Sequence, residues 1–282
     1  MPASSGAAAG LGLLAAANWG GSDFAGGWGA RRASPVLITT AGQVISLAVL
    51  LVVCLGLRIP IPPNRFLIYG AIGGFEGAFA LAIFYRALAM GAMGLTAALT
   101  GLLTALVPVV FEFFNTGWPG AYTSVGLAAG LVAIWLIAQS PVNTGAGTPH
   151  RALVLGACAG VGFGAQLILF KMAAAGGVLW ALTSGRVAGS AAILLVVMLA
   201  PPKSHGRGFW LPGVVSGALD SAGNLFYMMA SQVGRLDVAA VISSMYPAGT
   251  ILLAGVILRE RPSRRQLAGM GLALAAVALL SA

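Results

Sequence analysis

The stretch Phe66-Leu67-Ile68-Tyr69-Gly70-Ala71-Ile72-Gly73-Gly74 returns 143 residues later as Phe209-Trp210-Leu211-Pro212-Gly213-Val214-Val215-Ser216-Gly217. Phe66, Gly70 and Gly74 coincide with Phe209, Gly213 and Gly217, and the match runs on from Ala87 and Gly91 to Ala230 and Gly234. Two further windows keep the same offset. Thr40, Gly42 and Val44 meet Thr183, Gly185 and Val187, and Gly126, Leu131 and Leu136 meet Gly269, Leu274 and Leu279. One offset shared by three separate windows marks a chain built of two similar halves.

Both halves are too apolar for water. Of the 282 residues 59% are hydrophobic and 7% charged, against roughly 25% charged in a soluble domain. Such a chain cannot cover a wet surface, so its solvent is largely lipid. The 41 glycines often recur four apart, a spacing that lets helix backbones approach closely in a bilayer. The net charge of +9 arises from few acids, six in all, and most of the bases fall between apolar runs. That distribution suits lipid headgroups and topology, and it offers no basic face for nucleic acid. Cys54 and Cys158 lie inside apolar runs and read as inert thiols, with no disulfide framework or thiol metal motif. Residues 1–14 carry no Lys or Arg, so the first apolar run reads as a retained span rather than a cleaved signal.

A helix needs about 20 mostly apolar residues to cross the hydrocarbon core. Ten runs qualify: 7–29, 34–57, 66–89, 93–114, 122–140, 152–174, 178–200, 209–232, 237–257 and 266–281. The breaks between them carry Pro, Gly and base, such as Arg31-Arg32, Ile59-Pro60-Ile61-Pro62-Pro63 and Pro201-Pro202-Lys203. The expected fold is an all-α integral membrane protein of ten transmembrane helices, arranged as two five-helix repeats, 1–143 and 144–282. The stretch 140–151 is the expected linker. Five spans per half is an odd number, so the second half enters the membrane facing the other way and the repeat is inverted. Pro108 and Pro247 are expected inside spans four and nine. Each removes a backbone hydrogen bond, and each is read either as a static bend or as a flexing point for gating.

The chain resembles the EamA-type ten-span permeases of the drug/metabolite transporter superfamily. The residues that carry the likeness are Asn18-Trp19-Gly20-Gly21-Ser22-Asp23-Phe24, Ala87-Leu88, and Leu258-Arg259-Glu260-Arg261-Pro262 followed by Gln266 and Gly269. Arg186 matches the family's intramembrane arginine, whereas the first half has no Glu equivalent to Glu260. The resemblance implies multi-pass transport of small metabolites, often amino acids or drugs, without an ATP-binding domain. It places the protein in a cell membrane, with a bacterial inner membrane expected.

Charge at membrane depth is costly and ordinarily faces a cavity or a partner. Arg186 in span seven has Gln43 as its repeat mate, and Asp23 in span one has Gln166. Glu76 lies mid-span three. Asp220 lies mid-span eight, one position off the mate of Glu76. Asp220, Asn224 and Tyr227 at i, i+4 and i+7 share one helix face. The candidate substrate-binding residues are therefore Arg186, Asp220, Asn224, Tyr227, Glu76, Gln43, Gln166, Trp19 and Tyr246, with Phe163, Trp180 and Phe226 as weaker aromatic candidates. The candidate coupling-ion residues are Asp220, Glu76 and Asp23. Arg186 would hold an anionic group such as a carboxylate, and Asp220 or Glu76 an amine or a coupling proton. The plainer alternative is an internal ion pair of Arg186 with Asp220 or Glu76 that fixes helix packing. Glu260, among Arg259, Arg261, Arg264 and Arg265, is expected to dock spans nine and ten by a loop ion pair. No His cluster, nucleophile elbow or phosphate loop is present, so no catalytic residue, metal or cofactor is expected.

Two functions stand against each other. One is a secondary transporter of small metabolites, such as amino acids or related amphipathic solutes, working by alternating access with export as the expected direction. The other is a non-transporting membrane receptor or lipid-handling enzyme. Loops after odd spans carry nine bases and loops after even spans four. The positive-inside rule then puts both termini outside, whereas the family resemblance leans toward cytoplasmic termini.

Overall fold

The computed structural model describes residues 2–30, 33–88, 93–138, 150–202, 208–257, 259 and 262–281. Arg31, Arg32, most of the expected linker, Lys203, Glu260 and Arg261 lie outside them. The described residues form eleven helices and no strand. In chain order these are α1 (Pro2–Ala30), α2 (Pro35–Gly56), α3 (Asn64–Leu88), α4 (Met93–Thr116), α5 (Ala121–Ala138), α6 (His150–Ala174), α7 (Val178–Leu199), α8 (Trp210–Val233), α9 (Leu236–Ser243), α10 (Tyr246–Ile257) and α11 (Arg264–Ser281).

The helix boundaries follow local chemistry. Pro35 opens α2, where its missing N–H has no helical partner to lose. Gly117 and Gly120 take positive φ, 82° and 90°, in the turn between α4 and α5, and Gly177 takes 118° before α7. A reciprocal capping box starts α11: the Ser263 N–H donates to Gln266 Oε1 at 2.8 Å, and the Gln266 N–H donates to Ser263 Oγ at 3.2 Å.

The expected ninth span is broken. Its residues form two helices, α9 and α10, separated by a turn at Ser244 and Met245. Pro247 therefore stands in the first turn of α10, not inside a helix, where proline is tolerated. Pro108 does lie inside α4 and is buried. Five segments are long and apolar enough to cross a membrane by length and composition: Val36–Gly56, Leu99–Thr116, His150–Ala174, Val178–Leu199 and Leu236–Ile257.

The helices pack mostly across the chain's midpoint: α1 lies along α8, α3 along α6 and α7, α2 along α8, and α5 along α11. Small residues set these distances. A methyl group added at Gly42 would stand 2.9 Å from the Gly213 carbonyl oxygen and 3.0 Å from Gly217 Cα. One added at Gly74 would collide with the Gly185 backbone, and one at Gly217 with Gly42. Gly126 meets Leu280, while Gly269 meets Leu136 and Ile137. Side-chain oxygens then bond across the crossings: Ser46 Oγ donates to the Gly217 carbonyl at 2.9 Å and Ser22 Oγ to the Ser216 carbonyl at 2.9 Å.

Candidate functional site

A cavity of about 450 Å³ lies among the helices, the size of a site for one small molecule. Its wall takes Trp19 and Asp23 from α1, Gln43 from α2, Gly77 from α3, Gln166 from α6, Arg186 from α7, Asp220 and Asn224 from α8, and Tyr246 from α10. Each of these helices presents a small or polar face inward. On α3 that face is Gly74, Gly77, Ala78 and Leu81. The cavity reaches the last turns of α1 at Gly26 and Gly27, the first turns of α2 at Ile38 and Thr39, and Ser216 near the start of α8.

The centre is a hydrogen-bonded cluster. Arg186 is 8% exposed. Its Nη1 donates to Gln43 Oε1 at 2.9 Å and its Nη2 pairs with Asp220 Oδ2. Asn224 Nδ2 donates to the same carboxylate oxygen at 3.2 Å and to the Asp220 carbonyl at 2.8 Å. The buried Nε of Arg186 has no partner among the described residues. The carboxylate and the amide offset part of the cost of burying that charge. Asp23 differs. It is exposed, it lines the same cavity, and among the described residues it makes no hydrogen bond or ion pair.

Aromatic rings floor the cavity. Trp19 lies 5.8 Å from the Tyr227 ring and meets Tyr246 edge-on at 6.3 Å. Phe84, Phe163 and Phe170 complete the apolar wall.

Not every expected residue reaches this site. Glu76 is absent from the wall and lies on α3 beside Gly162. Successive residues of a helix are turned by about 100°, so a carboxylate next to the lining Gly77 points elsewhere. Gly77 is the repeat mate of Asp220, and Glu76 is off by that one position. Tyr227 is fully buried behind the wall, its hydroxyl donating to the Leu167 carbonyl at 2.8 Å. The stripe on α8 leaves the cavity there and enters the core between α6 and α8. Trp180 donates to the Ile59 carbonyl at 3.0 Å outside the cavity, and Phe226 packs against the core. The hydroxyls of Ser22, Thr39, Thr104 and Ser216 line the site without having been singled out.

A second polar group sits at the opposite ends of the helices. Lys171 in the last turn of α6 pairs with Glu112 of α4 at 3.3 Å, and that carboxylate is 2% exposed. Arg235, just before α9, pairs with the buried Asp237 at 2.9 Å and donates to the Gly117 carbonyl at 3.4 Å. Gln232 donates to the Lys171 carbonyl at 2.9 Å. These bonds tie α4, α6, α8 and α9 together.

Comparison with known proteins adds the class. The sequence pattern of the EamA-like transporter family matches residues 150–282. Residues 150–282 are an EamA-like transporter domain. This EamA-like half supplies Gln166, Arg186, Asp220, Asn224 and Tyr246 to the cavity, and the preceding half supplies Trp19, Asp23 and Gln43. A protein of known crystal structure shares the fold with a TM-score of 0.77 and 21% identity, over 96% of this chain and 95% of that one. No curated protein matches the sequence. With the EamA-like match at residues 150–282 and several apolar helices, the chain is a multi-pass membrane protein.

Proposed function

We propose that the protein is a secondary transporter whose cavity is the binding site for a small amphipathic metabolite, such as an amino acid or a related solute. The observation that carries this reading is the convergence of scarce intramembrane polar groups, from both halves of the chain, on one cavity of single-molecule size. Ten crossings follow if α9 and α10 together make one, and the halves 1–143 and 144–282 are then inverted repeats. Their packing supports this. Gly42 on Gly217 and Gly74 on Gly185 are the same contact made twice under the 143-residue offset, as are Gly126 on Leu280 and Gly269 on Ile137. Gln43 and Arg186, which bond each other, are themselves mates 143 residues apart. Mates in contact are what a pseudo-twofold axis through the site produces.

Alternating access fits the two ends of the bundle. The cavity reaches toward the end where α1 stops and α2 and α8 begin, while the Glu112–Lys171 pair and the bond from Arg235 to the Gly117 carbonyl tie helices together at the other end. Release of those bonds, with bending at Pro108 and at the α9–α10 turn, would open a path there. Asp220 and Asp23 are the carboxylates placed to bind an amine or a coupling proton. Export is the direction suggested by the family resemblance. The test is flux from proteoliposomes loaded with a mixture of labelled amino acids and their decarboxylated amines. Release above protein-free vesicles, lost in Trp19→Ala, supports the transporter. Intact, folded protein that releases none of the mixture contradicts it and favours a receptor or lipid-handling role.

A further inference from the structure

Among the described residues, the charges in the cavity do not cancel. Three charged side chains line it there: Arg186, Asp220 and Asp23. Arg186 and Asp220 neutralise each other; Gln43 accepts from the guanidinium and Asn224 donates to the carboxylate, while the buried Nε of Arg186 has no partner among the described residues. Asp23 is left over. It stands on α1, exposed to the cavity and without a partner among the described residues. The α1–α8 crossing fixes its height: Trp19 lies against Gly223, Gly21 against Leu219 and Gly26 against Ser216, so Asp23 faces the level of Asp220. Both carboxylates therefore line the same space, which Arg186, 8% exposed, also borders. Around that space stand aromatic rings, from Trp19, Tyr246, Phe84 and Phe163, and a ring that turns its face to a cation attracts it through its quadrupole.

Resting on the cavity as a solute site, we propose that Asp23 is the primary anchor of the substrate and that the substrate class is a small organic cation, an amine or quaternary ammonium bearing an apolar body. A substrate carboxylate would have to share Arg186 with Asp220 and would meet Asp23 unpaired. A cation meets one free carboxylate and an aromatic wall and displaces nothing. The Arg186–Asp220 pair then keeps the guanidinium from cancelling Asp23, and Asp220, lining the same space, gives the cation a second carboxylate.

Three probes of similar shape separate the charge types: benzyltrimethylammonium, benzyl alcohol and benzoate. Each, radiolabelled, is equilibrated by dialysis with the detergent-purified full chain. The ammonium is expected to bind saturably, about tenfold or more tighter than benzoate, with the alcohol between. Asp23→Asn is expected to bring the ammonium down to the level of the alcohol, and Asp23→Glu to retain most of it. Should Asp23→Asn fail to fold, the order of the three probes on the unaltered protein and on Asp23→Glu still decides. Benzoate binding tighter than the ammonium overturns the inference, as does full ammonium binding by folded Asp23→Asn, or no ammonium binding at all. Flux of the amino-acid mixture from proteoliposomes, combined with any of those three results, removes the cation assignment and leaves the transporter reading standing. Ammonium binding that depends on Asp23, without flux of any solute, does the reverse.

Discussion

Arg186 and Asp220 share a bond but not an environment, and that difference predicts unequal consequences. The arginine side chain is 9% exposed and the aspartate 36%. Asp220→Leu strands a buried guanidinium with Gln43 as its remaining partner, at a cost of about 3–5 kcal/mol. Arg186→Met leaves a carboxylate that faces the cavity and still accepts from Asn224, so its cost is smaller. The melting temperature in detergent should fall further for Asp220→Leu than for Arg186→Met, and combining the two should restore stability without restoring flux. Equal losses would show that the pair is equally buried on both sides, and recovered flux would make it a structural bond alone. Arg186, Asp220, Gln43 and Asp23 are legible in the sequence because an ionisable or amide group in an apolar run has few destinations. Glu76 misleads because its place depends on helix phase, and one residue turns it away from the wall that Gly77 lines. Ser22, Thr39, Thr104 and Ser216 give no signal. A hydroxyl in a membrane helix readily bonds the carbonyl one turn back, as Thr40 does to Val36 at 2.8 Å, so its presence does not imply a cavity.

Helix contacts carry their own tests. Gly74 and Gly217 sit against opposing backbone, whereas a methyl group at Gly271 meets nothing within 4 Å. Gly74→Ala or Gly217→Ala should each destabilise by roughly 1–3 kcal/mol through overpacking, while Gly271→Ala should be neutral or slightly stabilising through helix propensity. Thermal melts of the three variants check this, and indifference at Gly74 and Gly217 would mean that α3 and α8 do not cross their neighbours there. At the closed end, Lys171→Met leaves Glu112 buried and unpaired, with an expected cost of about 3–5 kcal/mol that Glu112→Leu in the same chain should largely remove. A melt of the double variant no higher than that of Lys171→Met would contradict the pairing. Several helix ends are readable because Pro35, Gly117, Gly120 and Gly177 punctuate them. The turn at Ser244 and Met245 is not: neither residue breaks a helix by itself, and Pro247 looks like an interior proline until the short helix before it is seen to end. The ion pair of Glu112 and Lys171 escapes a reading that takes Lys171 for a loop base, because its partner lies 59 positions away on another helix.

At the scale of the molecule, the 143-residue offset announces two similar halves but not how they embrace. That α1 lies along α8 and α3 along α6 is settled by which glycine faces find each other, and no pattern within one helix contains that choice. An even number of crossings requires both termini on one side. Reporter fusions at residue 1 and at residue 282 should therefore agree; the distribution of bases favours both outside, and the family resemblance both in the cytoplasm. Fusions that disagree would remove the ten-crossing topology, and agreement on the cytoplasmic side would overturn only the orientation. The most direct test of a two-sided transport path uses Gln166, which lines the cavity on α6 against Gly77 of α3. With Cys54 and Cys158 replaced, Gln166→Cys should be labelled by a membrane-impermeant maleimide from either face, in right-side-out and in inverted vesicles alike. Ser216→Cys, near the end of the cavity, should be labelled from one face far faster than from the other. If Gln166→Cys reacts from one face only, while the protein remains folded and active in flux, the cavity does not alternate between the two sides of the membrane.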